Sequence, residues 1–107
     1  MKYLTRQEEM ILLAIMQLKE NAYLVTIRDH LIKNTGKNWT LGAVYVPLDR
    51  LNKMGYLDTR IGGPNAKRGR NEIKYYNLAK RSIEALNELK HVNNTLWEGF
   101  SELSLNG

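Results

Sequence analysis

Nine of the sixteen lysines and arginines fall between residues 49 and 81: Arg50, Lys53, Arg60, Lys67, Arg68, Arg70, Lys74, Lys80 and Arg81. Only Asp49, Asp58 and Glu72 oppose them there, whereas the rest of the chain holds seven basic and eight acidic residues. The entire positive excess of a protein of net charge +5 therefore belongs to one segment. Guanidinium and ammonium groups gathered in this way neutralise phosphates and release their counterions, so nucleic acid is the partner that the charge implies. A sequence pI near 9.6 agrees.

The residue types that carry catalysis are sparse. His30 and His91 are the two histidines, far apart and without metal-ligand spacing. The absence of cysteine excludes disulfides, thiolate metal sites and thiol nucleophiles, and suits a reducing cytoplasm. Acidic residues are scattered or stand beside basic ones, which leaves no carboxylate pair. Gly62, Gly63 and Gly69 do not follow a strand and open a helix, so they make no phosphate-binding loop. An enzyme is not expected, nor a cofactor or a metal.

The basic segment needs elements to position it, and the pattern predicts them. Thr40 suits the N-cap of a helix in which Val44, Leu48 and Leu51 share one face. Gly42, Val46, Arg50 and Lys53 fall mainly on the opposite face, and Gly55 ends the helix. A strand follows over 56–61, with Leu57, Thr59 and Ile61 on one side and Tyr56, Asp58 and Arg60 on the other. Gly62-Gly63-Pro64-Asn65 is turn chemistry, and 73–78 is the return strand with Tyr76 and Leu78 inward. Pro47 lies seven residues past the cap, where it removes a backbone hydrogen bond and costs about 3 kcal/mol in a regular interior. A kink or break near Val46 is expected.

A helix followed by a basic-tipped hairpin is the layout of a winged helix-turn-helix, within a mainly α chain carrying a small β-hairpin (α+β). The helix fits a DNA major groove and the loop reaches the neighbouring backbone. Roles follow from side-chain chemistry. Gly42 allows close approach of the helix backbone, or serves packing. Thr40 caps the helix and can bond a phosphate, and Tyr45 borders the exposed face, where it either donates to phosphate or is half-buried. Val46 suits a thymine methyl, and Arg50 or Lys53 a guanine edge or the backbone. Lys67, Arg68 and Arg70 form the wing tip, with Lys74 on the return strand completing the candidate DNA-binding set. The bland alternative for the wing is a solvated loop.

Flanking helices complete the unit. Thr5-Arg6-Gln7-Glu8 is a capping box before a helix with apolar Met10, Ile11, Leu13, Ala14, Ile15 and Leu18. A second helix is predicted from Thr26, burying Ile27 and Leu31 and stopping at Gly36. From Ala79 to Leu103 one long amphipathic helix is predicted, with Leu86, Leu89, Leu96, Phe100 and Leu103 at heptad spacing and Asn93 at the remaining core position. Val92 and Trp97 flank this seam. So small a domain has little core to cover such a stripe, so it is expected to pair two chains; the alternative is that it folds back onto the first helix. The expected division is a DNA-binding domain over 1–78 and a dimerisation helix over 79–107 packed on it. No apolar run spans a membrane and no export signal is visible, which points to the cytoplasm.

The stretches AYLVTIRDHL, GKNWTLGAVYVPLDRLNKMGYL, IKYYNL and LWEGF resemble the PadR-like transcriptional regulators, in particular the short type with a single C-terminal helix. The resemblance covers roughly residues 5–100. It implies a homodimeric winged-helix repressor on a double-stranded operator of dyad symmetry, with the third helix and wing on DNA and the terminal helix forming the dimer. It also implies that a small aromatic effector can release DNA, with Trp97 as the residue to watch; a plain dimer-core tryptophan is the alternative. Leu24 replaces the usual glycine before the second helix, Ala79 and Ser82 replace the usual threonine and glycine after the second strand, and Pro47 is displaced from its usual place beside the tyrosine. Asn77 is then a substitute cap for the last helix. Two other readings compete with operator binding. One is a winged-helix module that binds protein through its basic wing. The other is an RNA-binding winged helix, which the missing aromatic platform disfavours.

Overall fold

The computed structural model describes residues 4–63 and 72–102. Among them are four α-helices and one antiparallel hairpin. The first helix, α1 (Arg6–Leu18), begins with the expected capping box: the Glu8 amide donates to Thr5 Oγ1 at 3.1 Å and the Thr5 amide to Glu8 Oε1 at 2.8 Å. It buries Ile11, Leu12, Ala14 and Ile15. Leu12 rather than Leu13 is the fully covered leucine.

A single turn of 3-10 helix, Lys19–Asn21, leads to α2 (Leu24–Thr35), which starts two residues before the expected Thr26. Thr26 sits inside the first turn, and its hydroxyl accepts the Tyr23 amide at 2.9 Å. The capping residue was recognised by chemistry but belongs one half-turn further in, where it reaches back to satisfy an end group. Gly36 closes α2 with a left-handed φ of 72° and donates its amide to the Ile32 carbonyl at 2.9 Å. Trp39 is then buried, its Nε1 donating to Thr35 Oγ1 at 3.0 Å, which anchors the connection into the third helix.

α3 (Leu41–Lys53) is capped by Thr40, whose hydroxyl accepts the Ala43 amide at 3.0 Å. It runs as one helix through Pro47, with no break at Val46. The physical reason is position: Pro47 falls on the buried face with Val44, Leu48 and Leu51, so its ring is part of the core. Burial of that ring offsets part of the lost Ala43 hydrogen bond.

The hairpin pairs β1 (Leu57–Gly62) with β2 (Ile73–Leu78), from Leu57 opposite Leu78 to Gly62 opposite Ile73. Only its base enters the core. Tyr56, Leu57 and Tyr76 are buried, and Leu78 packs at the core edge. Thr59 and Ile61, on the same side of the strand as buried Leu57, are exposed, because the outer half of β1 extends past the helices. The Tyr76 amide donates to the Ala22 carbonyl at 2.8 Å, which fastens β2 to the turn between α1 and α2.

α4 (Lys80–Leu96) is shorter than expected. The helix ends at Trp97, Gly99 adopts a left-handed φ of 83°, and Phe100–Glu102 forms a separate 3-10 turn. The heptad seam therefore stops at Leu96, because the left-handed Gly99 turns the chain before Phe100 could continue it. At its start, Ser82 is fully buried and its hydroxyl donates to the Tyr56 carbonyl. Neither Ala79 nor Asn77 caps α4 through a side chain: Ala79 is the N-cap residue and has none to offer. No helix among the described residues is long and apolar enough to cross a membrane.

Candidate nucleic-acid interface

At 100° per residue, the buried stripe of α3 leaves Gly42, Val46, Asp49 and Lys53 centred on its outer face. Val46 is 60% exposed, and no atom lies within 4 Å of where a Gly42 side chain would begin. Tyr45 stands on one flank of this face, Ala43 and Arg50 on the other. Thr40 is exposed at the head of the helix. The sequence-predicted readers Thr40, Gly42, Tyr45 and Val46 thus share one accessible surface.

The basic residues are less uniform than their clustering suggests. Arg50 donates Nε to Glu8 Oε2 at 3.0 Å, and Lys53 pairs with Asp49 at 2.9 Å. The hydrogen bond from Lys53 to Asp49 raises the lysine pKa above its ordinary value. Arg60 lies 4.2 Å over the Tyr75 ring and donates to the Glu20 carbonyl at 3.0 Å. Arg81 covers the Tyr56 ring and donates to the Met54 carbonyl at 2.7 Å. Two arginines of the basic segment therefore brace the hairpin and the start of α4. Lys74 is exposed on β2, its ammonium 5.7 Å from the Tyr76 ring centre. Burial pushes the Tyr76 phenol above its ordinary pKa, which keeps it a neutral hydrogen-bond donor. Lys67, Arg68 and Arg70 lie outside the described residues.

Two grooves flank the outer face of α3. One, of about 330 Å³, lies on the Tyr45 side between the start of α2 and β2, with Tyr23, Val25, Lys74 and Tyr76 among its walls. The other, of about 520 Å³, lies on the Ala43 and Arg50 side, walled by Gln7 and Met10 of α1 and by Lys37, Asn38 and Trp39. Sequence reasoning left Gln7, Lys37 and Asn38 unassigned. The signal was the pair of polar residues directly ahead of the Trp39 anchor and the Thr40 cap.

No protein-family model matches this sequence, and no curated protein matches it. Solved structures do. Over 89% of this chain and 75% of the other, the hsRosR-S4 complex superimposes with a TM-score of 0.71 at 20% identity. A transcriptional regulator from Clostridium thermocellum gives 0.68 at 15% identity over 91% and 88% of the two chains. A PadR family transcription regulator from hypervirulent Clostridium difficile gives 0.60 at 17% identity over 89% and 91%. This chain shares the fold of these solved structures.

Within this fold, α4 leaves apolar side chains uncovered. Leu86 packs against the core edge and Leu89 is half-buried, while the Asn93 amide donates to Glu9 Oε2 of α1 at 3.3 Å. Leu96, Trp97 and Phe100 are 76%, 61% and 57% exposed, and the last two rings meet edge to face at 4.8 Å. Leu103 lies outside the described residues. Part of the stripe therefore leans on α1 within one chain, and its far end is open.

Proposed function

We propose that the protein is a DNA-binding transcription regulator that acts as a homodimer on an operator of dyad symmetry, repressing the gene it occupies. The observation that carries this reading is the outer face of α3, where Thr40, Gly42, Tyr45 and Val46 stand exposed and together. An exposed helix face with a small residue in its first turn, a phenol on its flank and a hydroxyl at its head suits entry into a major groove. Lys67, Arg68 and Arg70, which lie in sequence between the two paired strands, would supply phosphate neutralisation. Names of the structural neighbours support the regulatory role.

The exposed Leu96, Trp97 and Phe100 support pairing of two chains, since contiguous apolar side chains of this size seldom face water without a partner. Two copies of α3 would then read half-sites roughly one helical turn apart. Release by a small aromatic molecule bound against Trp97 is the regulatory step that this arrangement suits.

Binding of the purified protein to DNA upstream of its own gene, measured as salt is varied, tests the reading. Neutralising about 6–10 phosphates predicts a fall of roughly 10³–10⁵ in affinity between 50 and 200 mM salt. Equal binding to any sequence would remove the operator, and no binding at all would favour the protein-interaction reading of the wing.

A further inference from the structure

We propose that the groove between α1 and α3 seats the phosphate backbone of one DNA strand, with Lys37, Asn38 and Gln7 as its donors. The inference rests on the DNA-binding reading above and extends it to a surface that the basic segment does not include.

The argument is geometric first. A major groove is about 12 Å wide and is walled by a sugar-phosphate backbone on each side. A helix lying in it therefore has one strand along each flank. The Tyr45 flank of α3 faces the hairpin, where Lys74 serves the nearer strand. The opposite flank, carrying Ala43 and Arg50, faces the 520 Å³ groove, and Gly42 and Val46 of the outer face also line it. The groove is thus continuous with the surface that would meet the bases, on the side where the second strand must run.

Its chemistry fits a phosphate. Lys37, Asn38 and Gln7 are all exposed and offer an ammonium and two amide groups. Arg50 borders the same groove, its charge balanced by Glu8, so Lys37 is the cation on which the seat depends. The nearest acids are already engaged: Glu8 is buried against Arg50, and Glu9 is held by Arg6 at 3.2 Å and by Asn93. Positive charge on the rim is therefore not cancelled by a free carboxylate among the described lining residues. Burial of Trp39 with its bond to Thr35 fixes the backbone beside Lys37 and Asn38 at the rim of the groove.

The test uses the full chain and the duplex upstream of its gene, with affinity followed from 50 to 200 mM salt. Lys37→Ala is expected to weaken operator and mismatched duplex alike. It should also reduce the log–log salt slope by about 0.9, so that the affinity ratio across this range shrinks about three- to fourfold. Asn38→Ala and Gln7→Ala should weaken both duplexes without changing the slope, since they remove neutral donors. Lys19→Ala, at the far end of α1, removes the same charge and should leave the slope alone. A wild-type slope in Lys37→Ala, or an equal change in Lys19→Ala, overturns the proposed seat while leaving operator binding intact. A wild-type protein that binds no duplex overturns both.

Discussion

Arg50 reaches across 42 positions of sequence to donate its Nε proton to Glu8 Oε2 at 3.0 Å. The bond ties the later turns of α3 to the first turn of α1. Glu9, the next residue, receives the Asn93 amide of α4. Adjacent carboxylates on α1 therefore hold the candidate reading helix on one side and the terminal helix on the other.

Removing one partner should expose that link. Arg50→Ala leaves a buried carboxylate without its counter-ion and should cost about 1–2 kcal/mol, less than the 3–5 typical of a buried pair because the arginine is half exposed. Glu8→Gln, which keeps the shape, should cost less. Urea unfolding of both single variants and the double variant measures the coupling, expected at about 1 kcal/mol. Strict additivity would mean that the pair is not a structural tie.

Acid should loosen the same contact. Burial alone would raise the Glu8 pKa, but the Thr5 amide together with the hydrogen bond and charge of Arg50 outweigh it, so the carboxyl lies below its ordinary 4.5. A depressed folded-state pKa gives stability that is present above 4.5 and is lost as pH falls through that value towards the folded pKa. Urea midpoints taken from pH 7 down to 3 should decline less steeply in Glu8→Gln than in the wild type. Parallel declines would show that other carboxylates set the acid limb.

Ser82 joins α4 to the base of the hairpin. Ser82→Ala removes its bond to the Tyr56 carbonyl, which keeps the Ala79 amide at 3.0 Å, so a loss near 1 kcal/mol is expected. In a domain of about 100 residues that corresponds to roughly 4–8 °C of melting temperature. Ser82→Val should cost more, since the site is fully buried and has no space for a second methyl. A thermal scan in which the valine variant melts no lower than the alanine one would contradict this packing.

Pairing of chains can be read from mass. Trp97→Ala should raise the concentration at which dimer and monomer are equal by at least about tenfold, because each of two indoles leaving an apolar contact is worth roughly 1.5–3 kcal/mol. Sedimentation over a range of concentrations measures it. An unchanged midpoint would move the interface off the end of α4.

Much of the fold could be read locally. The capping box at Thr5, the cap at Thr40 and the stop at Gly36 use side chains or backbone freedom within four residues of the groups they satisfy, and the structure has all three. Other features depend on contacts that exist only in the folded chain. Pro47 takes its place in the core only through the packing of α3, and Leu57 is buried while Thr59 and Ile61 on the same strand side are exposed, because only the base of the hairpin meets the helices. The heptad spacing predicts a helix to Leu103, but α4 ends at Leu96 and Gly99 turns left-handed, a backbone choice that side-chain periodicity does not encode.

By itself the sequence determined the helix caps, the buried stripe of α3, the concentration of positive charge between residues 49 and 81 and the order of helices and hairpin. Each depends on periodicity or on contacts within one turn. Tertiary structure alone decided which charges remain available. It paired Arg50 with Glu8, laid Arg60 and Arg81 over tyrosines, and brought Gln7 beside Lys37 and Asn38 across a groove, whereas Lys53 and Asp49 meet one turn apart on a single helix. An ion pair 42 positions apart has no local signature, because it forms only once packing of α1 against α3 has set the distance.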